Sequence, residues 1–191
     1  ATQKTGLLEL KDQIDQFLPD PREHTDHHRP RMPVDRVFSI SGFGTVVTGT
    51  LLGGTLSVGQ SIEVYPQMIN GRIRGIQSHK KNVETVGPGN RVALNLGSIN
   101  ATEVSRGNVI ALPSSVKPTW AIDTKLKLLT NTPHVIPHNF PVSFHANTSE
   151  TQAKLRLLDA NELAPGSSGW AQIVFNEKLP IIEGDRFIVR S

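Results

Sequence analysis

The sequence predicts an all-β protein made of two consecutive antiparallel β-barrels preceded by one short helix. Three observations carry this. From residue 34 onward, β-branched and aromatic runs alternate at short intervals with turn chemistry: Gly53-Gly54, Val58-Gly59-Gln60, Asn70-Gly71, Pro88-Gly89 and Arg106-Gly107-Asn108. Leu112-Pro113-Ser114-Ser115-Val116-Lys117-Pro118 interrupts that rhythm, and a second series of strands follows it. Only the first residues have a helical period.

That helix is expected over residues 5–18. Thr5 can cap it, and Leu7, Leu10, Ile14 and Phe17 recur at three-and-four spacing on one face, until Pro19 and Pro21 stop it. So short an amphipathic helix is not stable alone, so its apolar face must pack on a partner, either the barrels or a domain absent from this chain. Residues 19–33 are polar and proline-rich and read as a linker. His24, His27 and His28 stand there beside Asp26, but a mobile proline-rich stretch does not hold about four ligands rigidly, so no metal site is expected.

The run from Val34 to Leu51 is the most informative. On either side of Gly42 and Gly44 lie residues that favour extended backbone, and the glycines supply the positive φ of a tight reversal. A phosphate-cradling G-x-G must open a helix, whereas Thr45-Val46-Val47-Thr48 reads as a strand. Asn70-Gly71 reads as a type I′ turn between strands at 62–69 and 72–77. In the second unit, strands are expected near 121–129, 142–146, 150–158, 169–175 and 186–190. The expected organisation is a terminal helix (1–20), a linker (21–32), a barrel (33–113), a linker (114–118) and a second barrel (119–191).

Composition excludes several functions. At 37% hydrophobic and 19% charged, the chain has the make-up of an ordinary globule, without an apolar run of the roughly 20 residues that span a bilayer, so no membrane partner is expected. The absence of cysteine removes disulfides and thiolate metal sites and suits a reducing cytoplasm. A net charge of +3 is too mild to imply RNA by itself, and seven Phe, two Trp and one Tyr offer few stacking platforms, which favours recognition of backbones and chain ends over splayed bases. Neither G-x-x-x-x-G-K-[ST] nor a guanine-reading Asn-Lys-x-Asp is present, so this chain cannot hydrolyse GTP by itself. No G-x-S-x-G elbow selects a nucleophile, and no catalytic residue is assigned. His145, alternating with Phe144, reads as a strand residue with a structural hydrogen bond.

The order Val34–Leu51, Gly59-Gln60-Ser61-Ile62-Glu63-Val64, Arg74-Gly75-Ile76-Gln77, Gly89-Asn90-Arg91-Val92-Ala93-Leu94-Asn95-Leu96 and Ser105-Arg106-Gly107-Asn108-Val109-Ile110 resembles the second domain of the translational GTPases, elongation factor Tu and its relatives. The match is strong over about 30–112 and looser over 118–191. Through Pro33-Val34-Asp35-Arg36-Val37-Phe38 and Asn90–Asn95 the wording is closest to the selenocysteine-specific elongation factors. This resemblance implies that the N-terminal helix is the last of a missing GTPase domain, which would hold GTP and Mg. It implies selenocysteinyl-tRNA and the ribosome as partners, a messenger-RNA hairpin engaged through a missing C-terminal region, and a cytoplasmic location. It also implies that Asp35, Arg36 and Arg91 hold the selenocysteinyl group. The chemistry is coherent: a selenol is largely ionised at neutral pH, a thiol of pKa about 8.5 is not, and paired guanidiniums discriminate on that charge.

Simple strand alternation argues against such a site. Arg36 shares parity with Val34, Phe38 and Ile40 and should face the apolar side, while Arg91 has the parity opposite to Val92, Leu94 and Leu96. Only a bulge or a splayed rim near Arg36 brings the two together; otherwise an Asp35–Arg36 rim pair and a solvated Arg91 remain. Arg72, Arg74, Lys80 and Lys81 are candidates for tRNA backbone contacts, with an ordinary solvated face the alternative. Rival functions are a general elongation or initiation factor for another aminoacyl-tRNA, and the barrels of a metabolic GTPase subunit such as that of sulfate adenylyltransferase.

Overall fold

The computed structural model describes residues 5–18 and 25–190. The helix α1 runs Leu7–Phe17. Its N-cap is Gly6 in the left-handed region at φ 77°, with no side-chain cap hydrogen bond, so the expected Thr5 cap is not formed. No helix residue is buried, and Leu7, Leu10, Ile14 and Phe17 all face solvent. His24 and the two stop prolines lie outside the described residues. Among the described residues no three His, Cys, Asp or Glu side chains converge on a metal position, and no helix is long and apolar enough to cross a membrane.

The first barrel uses nine strands: β1 Arg31–Ile40, β2 Gly44–Thr50, β3 Leu56–Ser57, β4 Ser61–Tyr65, β5 Ile69–Ser78, β6 Lys81–Val83, β7 Thr85–Val86, β8 Arg91–Gly97 and β9 Val109–Ala111. Antiparallel pairing in the order β4-β9-β1-β2-β8-β5, with β4 also paired to β5, closes six of them into a barrel. Closure leaves those strands no open edge. Met32, Val34, Val47, Leu51, Ile62, Ile73, Leu94 and Ile110 fill the interior with no exposed surface. The segment before β1 is tied to this barrel: His27 and Arg29 donate backbone N–H groups to the Gly53 carbonyl at 3.0 Å, and Asp26 accepts from Thr55 Oγ1 at 2.5 Å. β1 therefore starts inside the stretch read as linker.

The expected hairpin between β1 and β2 is present, turning through Gly42 (φ 80°) and Gly44 (φ 86°). The expected Asn70-Gly71 turn is not. Both residues lie within β5, Asn70 opposite Glu63 and Gly71 opposite Ile62, and the reversal falls at Pro66–Met68 after a cis Tyr65–Pro66 bond. Gly71 serves close packing instead, because a Cβ there would lie 2.9 Å from Ile99 Cγ1. A dipeptide that signals a turn is thus used to let Ile99 cross the strand.

The second unit comprises β10 Thr119–Lys127, β11 Ile136–Pro137, β12 Phe140–Ala146, β13 Ser149–Leu157, β14 Glu162–Leu163, β15 Ser168–Leu179 and β16 Phe187–Arg190. β10-β15-β13-β12-β16 form one curled antiparallel sheet, a half-barrel over a core in which Phe144 stacks on Phe187 at 5.1 Å and meets Phe175 at 4.8 Å. Between the two units, Tyr65, Val109, Ala111 and Val116 pack with Ile182. Ser115 N donates to Tyr65 Oη at 3.2 Å and Ser114 N to Glu63 Oε2 at 3.0 Å, so the connecting segment is docked on the barrel. Burial, and then the Glu63 contact, hold the Tyr65 phenol above its ordinary pKa.

Candidate functional site

The site is built on an irregularity in β1. Val34 pairs with Gly49 and Arg36 with Thr48, so Asp35 is an extra residue with no partner on β2. A bulge of this kind reverses which side chains face inward beyond it. Before it, Met32 and Val34 are buried; after it, Val37 packs on the core while Arg36, Phe38 and Ile40 are exposed. The expectation that Arg36 faces the apolar side is therefore overturned.

Arg91 opens β8 opposite Thr50, also on the outer face. Arg36 and Arg91 flank β2 two residues apart in register, roughly 12 Å between Cα atoms from ordinary strand spacing and rise. That is within the combined reach of two arginine side chains. Asp35 lies between them: its Oδ2 accepts from Arg91 Nη2, and its Oδ1 accepts from Arg106 Nη1 at 3.1 Å. The Arg91 hydrogen bond, with the nearby charges of Arg91, Arg106 and Arg36, holds the Asp35 carboxyl below its ordinary pKa against a smaller opposing effect of desolvation. The arginines are open to solvent, 58% for Arg91 and 66% for Arg106, against 20% for Asp35. The arrangement is a cationic shelf with a fixed carboxylate at its base, able to take an anion in exchange for part of that carboxylate's pairing.

Arg106 was not singled out by the sequence reading. The signal was the turn Ser105-Arg106-Gly107-Asn108, which presents the residue before the glycine outward. A groove of about 650 Å³ lies beside the shelf, lined by Ile40, Phe43, Val46, Arg74, Ala93 and Asn95 among others. Ala93 lies directly across Thr48 from Arg36, so groove and shelf adjoin.

The other candidates do not converge. Arg72 and Arg74 are exposed on β5 near its pairing with Gly97, whereas Lys80 and Lys81 lie past its far end. Ser78 lies four strand positions beyond Arg74, about 13 Å at ordinary strand rise. His79 Nδ1 is 3.1 Å from Ser78 Oγ, and His145 Nδ1 is 3.8 Å from Glu150 while its Nε2 is buried without a partner. The structural hydrogen bond expected of His145 is not formed.

A closed barrel entered through a glycine hairpin, with charged residues on its outer face, is the second-domain type of the translational GTPases, and residues 44–111 match the family described as Elongation factor Tu domain 2. Residues 123–191 match the Selenocysteine-specific elongation factor, beta-barrel domain. Over 190 residues the chain is 40% identical to a selenocysteine-specific elongation factor of Desulfomicrobium baculatum, a match that covers 97% of this chain and 29% of that protein. The chain belongs to the selenocysteine-specific elongation factor family, whose barrel domains it carries.

Proposed function

We propose that this chain is the tRNA-binding barrel portion of a factor that delivers selenocysteinyl-tRNA to the ribosome, and that Asp35, Arg36 and Arg91 hold the selenocysteinyl group. GTP binding and hydrolysis reside in a further domain of the parent protein, on which the exposed face of α1 packs. The observation that carries this reading is the bulge at Asp35, which puts two guanidiniums on one face around one carboxylate.

The chemistry follows from charge. A selenolate entering the shelf replaces part of Asp35's pairing with Arg91, gaining charge-assisted hydrogen bonds of the same kind. A neutral seryl hydroxyl would break an ion pair without supplying a charge in return. Cysteine would first have to lose its proton, at a cost of about 2 kcal/mol at pH 7. Since the aminoacyl group is esterified to the terminal nucleoside, that nucleoside must sit beside the shelf, and the adjoining groove offers Ile40, Phe43 and Val46 as apolar contacts for a base with polar groups such as Asn95 beside them. The family match of the second unit favours this reading over a general elongation factor or a sulfate adenylyltransferase subunit.

The test compares binding of selenocysteinyl-tRNA and seryl-tRNA to the full-length protein in its GTP state, before and after replacing both Arg36 and Arg91 with alanine. Loss of the preference for selenocysteinyl-tRNA supports the reading. Equal weakening for both tRNAs would sink it.

A further inference from the structure

Asp35 is shared, and its second partner has not been given a role. Arg91 takes Oδ2; Arg106 takes Oδ1 at 3.1 Å. With Arg36 alongside, three guanidiniums face one carboxylate, leaving two net positive charges for an anion to meet.

Arg106 is not a loosely placed surface cation. Its turn is closed by Asn108 N donating to the Ser105 carbonyl at 3.1 Å and by Ser105 N donating to Asn108 Oδ1 at 2.8 Å, with Asn108 buried. The same turn is stitched to the residue just before the bulge: Val34 N donates to the Asn108 carbonyl at 2.8 Å and Gly107 N to the Val34 carbonyl at 3.1 Å. On its other side Gly107, at φ 93°, backs onto the second unit, since a Cβ there would lie 3.3 Å from Ser149 Cα. The turn carrying Arg106 is therefore wedged between the strand that bears Asp35 and β13.

We propose that Arg106 is a positioning residue of the cargo shelf: it holds and neutralises Asp35, so that Arg91 can turn from Asp35 to the anionic side chain. This rests on the reading above. Without Arg106 the carboxylate has only Arg91 as a hydrogen-bonded partner, and cargo and Asp35 compete for one guanidinium. With Arg106 the exchange leaves Asp35 still paired. Arg106 acts through Asp35 and makes no contact with the cargo.

The experiment measures the ratio of dissociation constants for seryl-tRNA and selenocysteinyl-tRNA on the full-length GTP-bound protein, in Arg106→Ala, Arg106→Lys, Asp35→Asn and the Asp35→Asn/Arg106→Ala double variant. Arg106→Ala should lower the preference for selenocysteinyl-tRNA about fivefold, the scale of an exposed ion pair. Arg106→Lys, which keeps a single N–H donor toward Oδ1, should restore most of it and also shows whether the alanine variant suffers from general misfolding. In the Asp35→Asn background the alanine substitution should change nothing further. An unaltered ratio in Arg106→Ala overturns the proposal, and so does a fivefold loss that persists in the Asp35→Asn background, which would mean direct contact with cargo. The Arg36/Arg91 double variant run in parallel separates the two claims. If it loses the preference while Arg106→Ala does not, only the role of Arg106 falls; if it keeps the preference, the cargo shelf itself is wrong.

Discussion

Arg31 and Asp185 join the two halves of the molecule through a bidentate pair, Arg31 Nη1 donating to Asp185 Oδ2 at 2.8 Å and Nη2 to Oδ1, with only 14% and 3% of the side chains exposed. Asp185 Oδ2 also accepts from Ile182 N at 3.1 Å, so the loop before β16 is folded around the carboxylate that grips the start of β1.

Breaking that pair leaves a guanidinium largely buried without its partner. Asp185→Ala is expected to destabilise the protein by about 3 kcal/mol. It should also split a single urea transition into two, one for each unit. Replacing both residues with apolar ones of similar volume should cost much less, because no stranded charge remains. Trp fluorescence reports the second unit alone, since Trp120 and Trp170 both lie there, so urea midpoints from fluorescence and from far-UV circular dichroism, which senses both units, should coincide in the parent and separate in the variant.

Gly49 stands opposite Val34 at the bulge, and a Cβ there would collide with the Pro33 carbonyl and lie 2.8 Å from Met32 Cγ. Gly49→Ala should cost about 2 kcal/mol through overpacking. It should also lower selenocysteinyl-tRNA affinity, because relief of the clash displaces the bulge that presents Asp35 and Arg36. Denaturation midpoints and tRNA affinity should fall together; unchanged affinity in a destabilised variant would dissociate bulge from site.

Asp35 gives a pH dependence with a definite sign. Its folded pKa lies below the ordinary value of 3.8, so its pairing stabilises the fold fully above that value. The contribution is lost as pH falls through the folded pKa. Between pH 5 and 8 Asp35 contributes no slope. Acid unfolding of Asp35→Asn should lack this component, as measured by thermal midpoints from pH 5 down to pH 2.

Thr45 tests the packing under the hairpin independently of charge. Its hydroxyl is 4% exposed as a residue and donates to the Ile99 carbonyl at 2.7 Å. Thr45→Val keeps shape but leaves that carbonyl unpaired, at an expected cost of about 2 kcal/mol. Preference between the two tRNAs should not change, since Thr45 faces inward.

Turn chemistry made most of the fold legible. Gly53, Gly59, Gly89 and Gly107 all take the positive φ that their turn positions required, and the Pro-Ser break falls between β9 and β10. Asn70-Gly71 misled because glycine serves two needs, positive φ and absent bulk, and the sequence does not say which. The candidate site was only half legible. A resemblance selected Asp35, Arg36 and Arg91, while alternation read through a bulge placed Arg36 on the wrong face, because one unpaired residue leaves no compositional trace. Arg106 was hidden by sequence distance: 71 positions separate it from Asp35, and only the docking of its turn on Val34 makes them neighbours.

The odd residue in β1 has a consequence for how this strand can vary. Deleting Asp35 would not simply remove one carboxylate. It would close the bulge into a regular ladder in which Val34 opposite Gly49 and Arg36 opposite Thr48 already alternate, so Arg36, Phe38 and Ile40 would stay outside and Val37 inside. The register of β1 on β2 sets the outward face, and the extra residue adds a carboxylate among the arginines without displacing Arg36 from its side of the strand.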